Sequence, residues 1–78
     1  MTLDELKKGE FAIIESLLSS SYKLKLVEMG IFKGRQIESI QEAPFRDPIC
    51  YRVNNSKIML RNEEAKSIVV RKCENPLI

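Results

Sequence analysis

The stretch that most constrains this chain is residues 26–34, Leu-Val-Glu-Met-Gly-Ile-Phe-Lys-Gly, where a helical pattern runs into a turn. Gly30 stands where the C-terminus of a helix favours a residue that tolerates positive φ, and apolar side chains surround it. The sequence before this stretch is typical of one strand and one helix, and the sequence after it is typical of short strands joined by turns. A turn this apolar either packs into the core or contacts a partner, and which of these holds is the main functional question.

Residues 22–29 fit two patterns of secondary structure. Tyr22, Leu24 and Leu26 alternate with lysines as in a half-buried strand, whereas Tyr22, Leu26 and Met29 have the spacing of one helical face. Three serines precede this segment and Gly30 follows it, and both features are typical of helix boundaries. We expect one of the serines to cap the helix. The sequence therefore favours a helix.

Most of the remaining sequence has the alternation and turn signals of short β-strands. Strands are predicted within residues 11–18, 36–42, 49–53, 57–61 and 67–71, and short helical turns at residues 2–6 and 62–65. Asn62 is predicted to cap the second of these turns, and Asn54, Asn55 and Ser56 predict a tight turn between two strands.

Two prolines, Pro44 and Pro48, predict a loop over residues 43–48, because neither suits a central strand. A chain of 78 residues with about five short strands and one helix has room for one domain. We therefore predict a mostly β fold, a small barrel over residues 1–74, followed by a C-terminal tail at residues 75–78.

The composition argues against several kinds of site. The chain has no histidine, the commonest general base and transition-metal ligand, and its net charge of +2 is too small to predict nucleic-acid binding. Cys50 and Cys73 lie far apart, which favours free thiols over a disulfide or a thiolate metal site. Glu63 and Glu64 are adjacent in a helical turn, so we expect them to stabilise its first turn rather than to act as an acid–base pair. We predict no catalytic residue, metal ligand or cofactor, and we do not expect an enzyme.

The chain also carries no signal of membrane insertion. No apolar stretch approaches the ~20 residues that span a bilayer, and the N-terminus lacks the basic start and apolar run of a signal peptide. The expected location is the cytoplasm.

Two segments stand out as candidate contact surfaces for a partner: the corner after the helix and the tip of the proline-framed loop. The candidate residues are Met29, Gly30, Ile31, Phe32, Phe45 and Arg46. The alternative for the corner is that Ile31 or Phe32 packs the end of the helix against the barrel. The alternative for the loop is that Phe45 folds back over the barrel.

Four segments in order resemble the FeoA family, the small cytosolic partner of the bacterial ferrous iron transporter FeoB. Residues 6–10 resemble its opening Leu-x-Pro-Gly-Glu segment, and residues 26–31 its Leu-x-Glu-Met/Leu-Gly-Leu signature. Residues 43–49 resemble its Ala-Pro-Leu-Gly-Asp-Pro-Ile loop, and residues 60–70 its closing region. The chain departs from this pattern at Lys8, Ser39 and Arg46, where the family often has proline, a β-branched apolar residue and glycine.

The resemblance implies an SH3-like barrel, similar to the C-terminal domain of diphtheria-toxin-repressor-type metal regulators. It also implies an accessory role in ferrous iron uptake through contact with the cytosolic side of FeoB. We expect neither nucleic-acid binding nor direct insertion into the membrane, and the apolar corner suggests weak self-association. Two other readings stay open, a metal-sensing module like that of the iron-dependent repressors and a small nucleic-acid-binding barrel. A reader of proline-rich peptides is disfavoured because the chain lacks tryptophan.

Overall fold

The computed structural model describes residues 1–42 and 47–74, and its main element is a five-stranded antiparallel sheet. The strands are β1 (Phe11–Leu17), β2 (Gln36–Glu42), β3 (Ile49–Val53), β4 (Ser56–Leu60) and β5 (Ile68–Cys73). The helices are α1 (Lys23–Glu28) and α2 (Asn62–Ala65), and a 3-10 turn spans Leu3–Glu5. The strand order is β4-β3-β2-β1-β5. The predicted mostly β fold with one inserted helix and short helical turns is confirmed.

One face of the sheet forms the core, because side chains alternate between the two faces of a strand. Ala12, Ile37 and Val53 are paired in register across β1, β2 and β3, and all three are buried. The next row of register partners, Phe11, Glu38 and Arg52, therefore lies on the opposite face. We call this second face the outer face of the sheet.

The β3–β4 hairpin closes through two asparagines in the left-handed region. Asn54 has φ 52° and Asn55 has φ 65°, and the strands pair directly beside them at Val53 and Ser56. Asparagine tolerates this conformation better than most residues do, so the tight turn predicted here is confirmed.

The ambiguous segment before Gly30 is a helix. Leu26 is fully buried, and Tyr22 and Met29 pack partly buried against the core, as the helical spacing predicted. The hydroxyl of Ser20 accepts a hydrogen bond from the Tyr22 N–H at 3.2 Å. The predicted serine cap is nevertheless wrong, because Tyr22 occupies the N-cap position and no side chain makes a capping hydrogen bond there.

The predicted cap of α2 is wrong. Arg61, not Asn62, occupies the N-cap position, and the Glu64 carboxylate accepts the Arg61 N–H at 3.0 Å. Asn62 is the first helical residue, and its N–H donates to Asp47 Oδ1 at 3.1 Å. A carboxylate from within the helix and another from a different segment thus satisfy two N–H groups at the start of α2.

Several expectations concern other parts of the chain. Cys50 is buried, Cys73 is half-buried, and both are free thiols. None of the helices in residues 1–42 and 47–74 is long and apolar enough to cross a membrane. The loop tip with Phe45 and Arg46 and the tail at residues 75–78 lie outside the described residues.

Ser39 on β2 places a polar side chain in the core. Its side chain is fully buried, and its hydroxyl has no hydrogen-bond partner within the described part of the chain. Its backbone is satisfied, because the N–H donates to Glu10 and the C=O accepts from Gly9. An unpaired buried hydroxyl is unfavourable, so we expect Ser39→Ala to raise the free energy of unfolding by about 1 kcal/mol.

Urea denaturation followed by circular dichroism measures this change, and Ser67→Ala is the matched control. The buried Ser67 hydroxyl donates to the Glu64 C=O at 2.7 Å, so its removal should lower the free energy of unfolding. Destabilisation of similar size in both variants would contradict the description of Ser39.

Candidate partner-binding surface

The corner after α1 is closed by hydrogen bonds to the last turn of the helix. Gly30 has φ +92°, its N–H donates to the Val27 C=O at 3.0 Å, and the Ile31 N–H donates to the Leu26 C=O at 2.9 Å. The left-handed residue reverses the chain, as in many helix C-termini. The reversal brings Ile31 into the same core cluster as Leu26.

The positions of the corner residues correct the set of contact candidates. Ile31 is 0% exposed, so its side chain belongs to the core and does not reach a partner. Met29 is half-buried against the core, Gly30 is half-exposed, and Phe32 is 41% exposed. Phe32 therefore offers the largest apolar surface of the four, and whether it binds a partner stays a prediction.

The corner is held firmly by β1. The Gly34 N–H donates to the Ile14 C=O at 2.8 Å, and the Ile14 N–H donates to the Arg35 C=O at 2.9 Å. The Arg35 guanidinium lies 4.2 Å from the centre of the Phe32 ring, a cation–π contact. Phe32 is thus exposed on a segment that is fixed to the sheet.

The structure adds two residues that the sequence analysis did not select. Leu24 is 72% exposed and Val27 is 43% exposed, on the side of α1 away from the buried Leu26. The signal was present, because α1 carries more apolar residues than one helical face can bury. Leu24, Val27 and Phe32 together are called the α1 surface below.

Two polar contacts join α1 to α2. The Tyr22 hydroxyl donates to Glu63 Oε2 at 2.6 Å, and Lys25 Nζ lies 2.5 Å from Glu64 Oε2. The hydrogen bond to Glu63 raises the pKa of Tyr22. Hydrogen bonds from Lys25 and from the Arg61 N–H hold the pKa of the Glu64 carboxyl below its usual value. Both carboxylates therefore connect the two helices, a role that adjacency in sequence did not predict.

The geometry suits contact with a partner through apolar surface. Within residues 1–42 and 47–74, no three or more histidine, cysteine, aspartate or glutamate side chains lie close enough to hold a metal ion. The α1 surface is exposed, apolar and attached to a pinned corner. Large apolar side chains exposed in this way are a feature of interaction sites.

Two curated relatives are similar in sequence to this chain. One is the Fe(2+) transport protein A/Fe(2+) transporter FeoB fusion protein of Porphyromonas gingivalis, 37% identical over 71 residues. The match covers 90% of this chain but only 8% of that protein. The other carries the name Fe(2+) transport protein A and comes from Campylobacter jejuni. It is 35% identical over 71 residues, which cover 90% of this chain and 96% of that protein.

Solved structures agree in fold. Iron(II) transport protein A from Clostridium thermocellum superposes with a TM-score of 0.86 and 41% identity, over 92% of this chain and 45% of that one. Stenotrophomonas maltophilia FeoA complexed with zinc, described as a prokaryotic SH3 domain protein, gives a TM-score of 0.81 and 30% identity over 91% of this chain and 89% of that one. The predicted SH3-like fold is confirmed.

A manganese-dependent transcriptional repressor also superposes, with a TM-score of 0.82 at 14% identity over 94% of this chain and 41% of that one. At that identity the likeness concerns the fold alone. The family model of the FeoA domain, in contrast, matches residues 1–72. This match and the relatives above 30% identity show that the chain belongs to the FeoA family.

Proposed function

We propose that this chain is an accessory component of bacterial ferrous iron uptake that binds the cytosolic side of a FeoB-type transporter. The observation that carries the proposal is the Porphyromonas gingivalis relative, whose name joins an Fe(2+) transport protein A to FeoB in one protein. Fusion keeps two modules at high effective concentration, which favours a weak contact between them. When the two modules are separate chains, the affinity of the surface contact alone must hold them together.

The α1 surface is the part of the described chain that best suits this contact. The six large apolar side chains that are exposed in residues 1–42 and 47–74 are Met1, Leu18, Leu24, Val27, Phe32 and Met59. Three of them, Leu24, Val27 and Phe32, lie within nine consecutive residues. Since the segment is already ordered by its helix and its corner, binding orders few further groups. Phe45 and Arg46 remain contact candidates on the evidence of the sequence.

We expect Leu24→Asp and Phe32→Asp each to weaken binding to the cytosolic part of FeoB from the same organism by about tenfold or more. A charge placed in an apolar contact must lose its hydration, and truncation of a central contact commonly costs ~2 kcal/mol. Calorimetric titration measures binding, and anaerobic uptake of ferrous iron by cells that carry each variant measures function. Both variants should remain folded, because the replaced side chains are exposed.

Leu18→Asp is the matched control, since Leu18 is 47% exposed but directly follows β1 and is not part of the α1 surface. Normal binding and uptake in the two α1 variants would contradict the assigned surface. A titration with ferrous iron alone, followed by amide NMR, tests the metal-sensing alternative. Saturable, stoichiometric shifts with iron would favour sensing over contact with the transporter.

A further inference from the structure

The outer face of the sheet contains a groove that the α1 surface does not include. The groove has a volume of about 570 Å³, within the range of about 300–1,000 Å³ that is common for ligand sites. Its floor is the register row of Phe11, Glu38 and Arg52 across three strands. Arg35, Gln36 and the turn at Asn54 and Asn55 complete the lining.

The two arginines of the groove have hydrogen-bonding capacity to spare. Arg35 is held over the Phe32 ring, and its guanidinium has no hydrogen-bond acceptor among the residues that the structure describes. Arg52 Nη1 donates to Glu38 Oε1 at 3.3 Å, a long contact that engages one of its five N–H donors. Lys57 is paired in register with Arg52 on the same face but does not line the groove.

The balance of charge in the groove favours a single carboxylate. The two arginines against Glu38 leave one net positive charge in the lining. A guanidinium binds a carboxylate through two parallel hydrogen bonds. A phosphate dianion would carry twice that charge, so its second negative charge would lack a counter-charge in the lining and would add to the repulsion from Glu38.

The other lining residues suit a polypeptide. The side-chain amides of Gln36, Asn54 and Asn55 each donate and accept hydrogen bonds, as the peptide groups of an extended segment require. The half-buried Phe11 ring offers an apolar surface in the floor of the groove for a neighbouring side chain. We propose that this groove binds an acidic peptide segment, in which a carboxylate that contacts Arg35 and Arg52 stands next to an apolar side chain.

Arg35 links this groove to the α1 surface. It lines the groove and also contacts Phe32, so one partner can reach both places. That the segment belongs to a FeoB-type transporter rests on the function proposed above. That the groove selects a carboxylate does not, because the selection follows from the groove's own residues.

The first experiment uses the isolated protein and defined probes. A ¹⁵N-labelled sample is titrated with a capped pentapeptide, acetyl-Gly-Phe-Glu-Ala-Gly-amide, with the same peptide carrying glutamine for glutamate, and with inorganic phosphate. We expect saturable shifts at the groove residues with the glutamate peptide and at least fivefold weaker binding of the glutamine peptide. Arg35→Gln and Arg52→Gln should each weaken the glutamate peptide at least fivefold, whereas Lys66→Gln, an exposed control outside the groove, should not.

Three results would overturn the inference: no saturable shifts with the glutamate peptide, equal binding of both peptides, or shifts at the groove with phosphate alone. The second experiment titrates the same variants with the cytosolic part of FeoB. If that part binds wild type and both arginine variants equally, the assignment of the groove's peptide to FeoB fails and the proposed function stands. If the cytosolic part of FeoB binds neither wild type nor the variants, while the glutamate peptide still binds in the groove, the proposed function fails and the groove inference stands.

Discussion

Replacement of Ile31 by alanine is expected to lower the free energy of unfolding by about 2–5 kcal/mol, the largest effect at the corner after α1. Ile31 is fully buried beside Leu26, so the shorter side chain leaves a cavity and loses apolar contact. Because the free energy of unfolding of small domains is only about 5–15 kcal/mol, this loss would remove a large part of the stability. Thermal and urea denaturation followed by circular dichroism measure it.

Phe32→Ala is the matched control, since it changes the next residue along the chain. Phe32 is 41% exposed, and its ring mainly loses the contact with Arg35, so we expect a change below about 1 kcal/mol. Ile31→Val, which removes one methylene, should fall between the two, at about 0.5–1.5 kcal/mol. Equal losses for Ile31→Ala and Phe32→Ala would show that the corner packs differently from this description.

Replacement of Glu64 by glutamine is expected to lower the free energy of unfolding at neutral pH by about 1–3 kcal/mol. The Glu64 side chain is 6% exposed and accepts hydrogen bonds from Lys25 and from the Arg61 N–H. Glutamine has a similar shape but no charge, so both hydrogen bonds weaken and one of its two terminal groups becomes a donor. The Lys25 side chain is 59% exposed, so solvent screens its part of the interaction, and the contact with the Arg61 backbone is the more protected one.

The pH dependence of the stability difference between wild type and Glu64→Gln tests whether the Glu64 carboxylate causes it. The folded pKa of Glu64 lies below its ordinary value of 4.5, so the folded state favours the charged form. The stabilisation is fully present above pH 4.5 and is lost as the pH falls through the folded pKa. The difference in unfolding free energy between wild type and Glu64→Gln should therefore shrink as the pH falls below 4.5.

Glu63→Gln serves as the control for this series, because Glu63 is exposed and accepts a hydrogen bond from the Tyr22 hydroxyl on the surface. Its effect should be smaller than that of Glu64→Gln. A difference between wild type and Glu64→Gln that stays constant from pH 7 to pH 3 would count against the charged hydrogen bonds as its origin.

Local patterns in the sequence were enough for most of the fold. The strand over residues 36–42, the hairpin turn at Asn54 and Asn55, and the helix before Gly30 were predicted from alternation, from residues that accept positive φ and from boundary residues. These signals are short-range, so they act through neighbours in the chain. The resemblance to the FeoA family was likewise readable from four short segments, and the comparisons confirm it.

The candidate surface was predicted less completely. The sequence predicts Met29, Gly30, Ile31 and Phe32 as one group of contact candidates, because all four are adjacent and three are apolar. The structure separates them, since the reversal at Gly30 buries Ile31 and leaves Phe32 partly exposed. Leu24 and Val27 were missed because an apolar residue on a helix is by default expected to face the core.

The sequence by itself determined the strands, the helix and the glycine corner, because each depends on residues within a few positions of one another, and it determined the family through four such short segments. Only the tertiary structure decided which apolar side chains are exposed, that Glu63 and Glu64 join α2 to α1, and that Arg35 and Arg52 line one groove. These features bring together residues from distant parts of the chain. Their positions depend on strand register and on the direction of the chain after Gly30, and no short-range pattern in the sequence contains that information.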